Sequence, residues 1–157
     1  MSDDKVTSQE HPSIMVDVTR IAQYSKLISQ IGQGMNKMKA PLFIRDFSIA
    51  YDITSNLLFD VTRRNLRAEH DLEIAESIAY LENARAYLEA HGIKDSADAR
   101  KRYIPLDPAV IKATSIKNET EALASFLKIK LNEFKMSVEA VKKIAYGDIY
   151  LSPDEGM

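Results

Sequence analysis

The chain has 157 residues, a formal net charge of −2 and 45% hydrophobic residues, enough for one domain with a real core. It contains no cysteine, which excludes a disulfide framework, thiolate metal sites and thiol catalysis, and fits a reducing cytoplasm. No apolar run reaches the roughly 18 residues of a membrane span, and the polar start Met1–Pro12 does not read as a signal peptide, so a cytoplasmic protein without a membrane segment is predicted.

Five Gly and five Pro fall mainly between periodic segments, a pattern that predicts an all-α chain. Charge is uneven along it. Residues 1–92 carry 10 Lys+Arg against 13 Asp+Glu, residues 93–146 carry 11 against 7, and residues 147–157 carry none against 3. The third quarter onward is mildly basic and the end is acidic.

Residues 1–13 are polar and aperiodic and are predicted to be a disordered arm, followed by a single helical domain over 14–147 and a flexible acidic tail over 148–157. A first helix is predicted from Asp17 to about Ile31, with Ile21, Tyr24, Ile28 and Ile31 on one face and Gly32 and Gly34 as its stop. Pro41 opens a second, long periodic segment that lasts to His91. Its seam runs through Phe43, Phe47, Tyr51, Thr54, Leu58 and Val61, then Leu72, Ala75, Ala79 and Ala86. A neighbouring stripe of Ile74, Ile78, Leu81 and Leu88 makes the apolar face wider than one partner helix needs. Asn65 and three arginines interrupt the seam, which predicts a kink or break between Arg63 and His70. Gly92 suits a left-handed C-terminal stop, with Ile93 placed for the hydrophobic contact of a Schellman motif.

Residues 94–106 form a connector in which Asp95 or Ser96 can cap a short helix ended by Pro105. The last helix has the clearest signals. Asp107 can cap it, Pro108 suits its first position, and Gly147 suits a left-handed position past its end. Its seam is Ala113, Ile116, Thr120, Leu123, Leu127, Leu131 (or Lys130), Phe134, Val138, Val141 and Ala145, with steps mostly alternating between three and four. A helix of that span is about 58 Å long and needs a partner along its length. The fold predicted is therefore all-α, an elongated hairpin of two long amphipathic helices with a shorter N-terminal helix, in an oligomeric assembly. Leu123, Leu127, Leu131, Phe134, Val138 and Val141 are the predicted oligomerisation face.

Catalytic and cofactor signatures are missing. The residues three before His11, His70 and His91 are Ser8, Arg67 and Leu88, so no Glu-x-x-His metal pair exists. Gly32-Gln33-Gly34 lacks the third glycine and the strand of a dinucleotide site. No metal site, cofactor or enzyme activity is predicted. The acidic residues from Glu69 to Glu89 spread over helical faces as a solvated surface does. Basic residues cluster more tightly. Arg63, Arg64 and Arg67 lie within two turns, Arg100, Lys101 and Arg102 adjoin Tyr103, Lys37 and Lys39 lie near Arg45, and Tyr80 and Tyr87 flank Arg85. Cations beside aromatic rings are the chemistry of single-stranded nucleic-acid sites, where cations track phosphates and rings stack on bases.

The run Tyr103-Ile104-Pro105-Leu106-Asp107-Pro108-Ala109-Val110-Ile111-Lys112, followed by a long apolar-seamed helix and preceded by Asn83-Ala84-Arg85-Ala86-Tyr87-Leu88 and Gly92, resembles the UvsY-type recombination mediators of tailed phages over roughly residues 70–146. The resemblance implies a homo-oligomeric, non-enzymatic protein of the host cytoplasm that helps load a recombinase on single-stranded DNA and displaces single-strand-binding protein. Arg85 occupies the family's DNA-contacting arginine position, while its second basic position falls on Asn83, an amide. With Arg85, the connector residues Arg100, Lys101 and Arg102 are the candidate DNA contacts, and Arg63, Arg64 and Arg67 a second group. The alternative is a non-enzymatic coiled-coil adaptor or phage structural protein that binds only protein partners.

Overall fold

A computed structural model describes residues 17–31, 35 and 37–147, and all the statements below concern these residues. The predicted arm 1–13, the glycines Gly32 and Gly34, and the tail 148–157 lie outside them. The described chain is helical and contains no strand. A short helix α1 (Thr19–Ile28) precedes α2 (Ala40–Ile78), a π-helical turn (Ala79–Asn83) and α3 (Ala84–Ala90). The connector carries α4 (Ala97–Tyr103) and a 3-10 turn (Ile104–Leu106), and α5 (Pro108–Tyr146) follows.

The two long helices have 39 residues each, about 58 Å at the α-helical rise. Three contacts give their relative direction. Phe47 stacks on Phe134 with ring centroids 6.3 Å apart, Thr120 meets Asn65, and Asn83 meets Asp107. One residue number rises as the other falls, so α2 and α5 run antiparallel. The main core lies along this pair: Phe47, Ala50 and Val61 of α2 are fully buried with Leu127, Phe134 and Val141 of α5. Ile21 of α1 joins them, packed over the end where α2 starts and α5 finishes. A smaller cluster of Ala79, Ala84, Tyr103 and Val110 closes the opposite end.

Of the seam predicted to join copies of the chain, Leu127, Phe134 and Val141 are fully covered within one chain, and Leu123, Leu131 and Val138 are half-buried. The partner that the length of α5 demands along this seam is α2 of the same molecule. Periodicity reports that a face is covered and is silent on whose helix covers it.

The break expected between Arg63 and His70 does not occur; α2 runs unbroken through it to Ile78. The arginines project into solvent, and Asn65 stays at the seam because it finds partners there. Its Oδ1 lies 2.9 Å from the Thr120 hydroxyl, and its amide donates to Glu69 at 3.0 Å. The irregular turn falls later, at Ala79–Asn83, where the Ala84 amide reaches back five residues to the Ala79 carbonyl. At the other predicted boundaries, Gly92 takes the left-handed φ of 64°, with the Ile93 amide on the Leu88 carbonyl and the Gly92 amide on the Glu89 carbonyl, the two bonds of a Schellman stop. Gly147 does not take that conformation. Its φ of −56° is right-handed and its amide still bonds the Lys143 carbonyl, so the glycine continues the spiral.

Truncating the ring between the helices tests this arrangement. Phe134→Ala should cost about 3–5 kcal/mol in urea unfolding, as for other buried Phe truncations. The loss should be the same at protein concentrations tenfold apart, because the contact is made within one chain; a loss that grows on dilution would place the seam between copies.

Candidate functional site

The end of the molecule where the connector lies is organised by one carboxylate. Asp107 is 1% exposed and sits in extended conformation immediately before α5. Its Oδ1 accepts from the amides of Ala109 at 2.9 Å and Val110 at 3.4 Å, which otherwise have no partner in the first helical turn. Its Oδ2 accepts from the Asn83 amide at 2.8 Å and from the Tyr103 hydroxyl at 3.0 Å. Burial pushes the Asp107 carboxyl up, and the hydrogen bonds from Asn83, Tyr103 and the two backbone amides together outweigh it, leaving the group below the ordinary carboxylate range. Burial, with the bond to Asp107 after it, pushes the Tyr103 phenol up, so this hydroxyl remains a donor.

The wide π-helical turn swings Asn83 towards Asp107 and leaves the Tyr80 carbonyl facing the connector. Arg100 of α4 uses that opening. Its guanidinium forms two 2.7 Å bonds to Asp95, lies 5.8 Å from the centroid of the Tyr80 ring, and directs Nη1 to the Tyr80 carbonyl at 3.4 Å. The hydrogen bond from Arg100 holds the Asp95 carboxyl below its usual range. Ser96, and not Asp95, caps α4 by accepting from the Ala99 amide at 3.2 Å. Asp95 is engaged by Arg100 instead.

Between α3 and α4 lies an open groove of about 440 Å³, within the range of about 300–1,000 Å³ typical of ligand clefts. Leu88, Ala99 and Tyr103 form its apolar floor, with Tyr87, Ile93 and Leu106 around it and Lys94, Ser96, Asp98 and Arg102 at its polar margin. Tyr87 stands in an aromatic column: its ring is 4.8 Å from Tyr103 on one side and 4.0 Å from His91 on the other. The His91 Nδ1 lies 2.8 Å from the Tyr87 carbonyl, which keeps the imidazole in the column.

The predicted site residues separate into three groups. Arg85, Lys101 and Arg102 are exposed at this end of the molecule. Arg85 lies near enough to Asp95 to lower its carboxyl further, and Arg102 sits 3.7 Å from Asp98 in a solvent-exposed i,i+4 pair. Lys101 opens onto the other side of the connector, beside Glu76 and Ile111. Arg100 differs from its neighbours in being three-quarters covered and held by Asp95, so it orders the connector. Arg63, Arg64 and Arg67 form a separate exposed patch with Asp60, Arg63 lying 5.9 Å from the Phe59 ring centroid. Along the helix axis, Arg67 is about 27 Å from Arg85. Lys94 and the Tyr87–His91 stack were missed in the sequence, although tyrosine and histidine four apart on a helix are side-by-side neighbours. No group of three or more His, Cys, Asp or Glu is placed to hold a metal, and no helix is long and apolar enough to cross a membrane, among the described residues.

No protein-family model matches the chain, and neither does any curated protein or solved structure.

Asp107 is the group to test for the integrity of this end. Asp107→Ala should cost about 2–4 kcal/mol, the loss of a helix cap together with buried donors left unpaired. Because the folded carboxyl lies below its ordinary value of 3.8, its contribution is complete above that pH and is lost as pH falls through the lower folded value. The stability difference between wild type and Asp107→Ala, measured by urea unfolding, should therefore be constant at neutral pH and shrink below about pH 4.

Proposed function

We propose that the protein is a single-stranded DNA-binding accessory factor of recombination, which helps load a recombinase on the strand as a homo-oligomer, with the α2–α5 hairpin as its scaffold and no enzymatic step. The observation that carries the reading is the meeting of Lys94 and Arg102 at the margin of an apolar groove walled by Tyr87, with exposed Arg85 on the adjoining helix. Cations for phosphates beside rings for bases are the two components of single-strand recognition. The position that departs from the family pattern, Asn83, has a structural task in holding Asp107, and Lys94 and Arg102 supply cations beside it.

Support for self-association comes from the outer faces of the long helices. Leu42, Ile49, Phe59, Leu66 and Ile74 are exposed along α2, and Ile111, Phe126, Ile129 and Met136 along α5. Phe59 precedes buried Val61 by two residues, which turns it about 200° from the intramolecular seam, and Ile129 follows buried Leu127 by the same rotation. Exposed apolar stripes of this kind mark surfaces made for other protein. The same stripes favour the second reading, a helical adaptor or phage structural component that binds protein alone.

A salt titration with a labelled single-stranded oligonucleotide separates the two. Three phosphate contacts by Arg85, Lys94 and Arg102 give a slope of log affinity against log salt of about −2 per protomer. Arg85→Ala with Arg102→Ala should flatten that slope and weaken binding roughly tenfold at moderate salt, whereas Arg63→Ala with Arg64→Ala and Arg67→Ala should do less. An absence of binding even at low salt would leave the protein-only adaptor.

A further inference from the structure

We propose that the groove between α3 and α4 is a subsite for a single unpaired nucleobase, so that the protein recognises the DNA strand through a base as well as through its phosphates. The inference rests on the single-stranded DNA reading and adds to it a distinct contact. A site for phosphates alone needs only exposed cations, and this chain places its cations at the edge of an apolar recess. Leu106 is 57% exposed and Ile93 is 48% exposed, both turned to the recess that Tyr87 and buried Leu88 line.

The charge arrangement points to a base with its phosphates and away from an apolar peptide. Lys94 and Arg102 lie on the margin, and Arg102 keeps 85% of its side chain exposed despite its contact with Asp98. A flat, apolar-faced ring entering the recess would bring the phosphates on either side of it to this margin. Ser96 and Asp98 offer oxygen atoms for the polar edge of the ring, although the Ser96 hydroxyl also caps α4. The Tyr87 wall of the recess is in place before any ligand arrives, because its ring packs on Tyr103, whose hydroxyl donates to the buried Asp107 carboxylate. A preformed wall avoids the ordering cost that a mobile aromatic would incur on binding. Bases within a duplex are stacked and paired, so such a recess admits only an unpaired strand.

The test compares three probes of equal length on the full chain: oligo(dT), the same sugar–phosphate strand made abasic throughout, and a duplex. Wild type should bind oligo(dT) roughly tenfold more tightly than the abasic strand, the scale of burying one base against the apolar side chains of Ile93 and Leu106, since both faces of the Tyr87 ring are already covered, and should bind the duplex no better than the abasic strand. Ile93→Asn and Leu106→Asn, which leave the net charge unchanged, should remove the preference for oligo(dT) while keeping binding to the abasic strand. Their helical content by circular dichroism should equal that of wild type. Equal wild-type affinity for oligo(dT) and the abasic strand would overturn the base subsite and leave phosphate binding standing. A preference for oligo(dT) that survives both substitutions would overturn its location in this groove. Failure to bind any probe would overturn the DNA reading itself.

Discussion

A buried carboxylate with four donors around it sets the geometry on which the rest of the molecule depends. Asp107 belongs in sequence to the start of α5, where its Oδ1 caps the helix, but its Oδ2 also holds the π-helical turn through Asn83 and α4 through Tyr103. A lone buried carboxylate would cost several kcal/mol, and this one is tolerated because its oxygens are hydrogen-bonded and it lies at a helix N-terminus, where the peptide dipoles favour negative charge. The same four bonds define where α5 begins, how far the chain turns back after α3, and which side of α4 faces inwards. The groove lies between α3 and α4, so the bond from Tyr103 to that one group helps set its shape.

The inward face of α4 explains why three consecutive cations have different tasks. Successive residues on a helix point about 100° apart. When Tyr103 is fixed on Asp107, Arg100 lies one turn earlier on the same side, against Tyr80 and Asp95, while Lys101 and Arg102 point out to either side of the connector. A basic triplet in sequence is thus one structural cation and two available ones. The acids nearby, Asp95 and Asp98, answer part of the charge, which leaves the surface only mildly attractive to phosphate.

What could be read in the sequence was whatever local chemistry decides. The Asp107-Pro108 start, the Gly92-Ile93 stop, the α5 seam and the α2 seam from Phe43 to Ala79 follow from groups within a few residues of one another and are found in the structure, whereas Ala86 and the neighbouring stripe of Ile74, Ile78 and Leu81 are exposed. What could not be read depends on partners far along the chain. Nothing between Ala79 and Asn83 signals a π-helical turn; it is stabilised by Asp107 and Arg100, some twenty residues on. Asn65 looked like a helix breaker until Thr120, 55 residues away, supplied its hydrogen bond. Arg100 and Arg102 are equivalent by composition and become different only when α4 has a fixed inner face. Gly147 had the freedom to turn left-handed, but freedom is no requirement, and the chain keeps its right-handed course there.

The division of faces also bears on how a weak site becomes useful. The inner seams of α2 and α5 are satisfied by each other, and stripes through Phe59 and Ile129 stay exposed on their outer faces, the surfaces the proposed assembly would use. They lie along the shafts of the helices, whereas the groove is at one end, so contacts along the shafts would leave it open. In the proposed assembly each protomer brings two or three partly compensated cations and one recess, too little to hold a strand against competing salt. Copies aligned side by side would carry these ends into a row, and a strand bound to one would meet the next at a high effective concentration. On the proposed reading, self-association would convert a modest local affinity into stable binding, and the long helices would contribute through the spacing they impose on the sites.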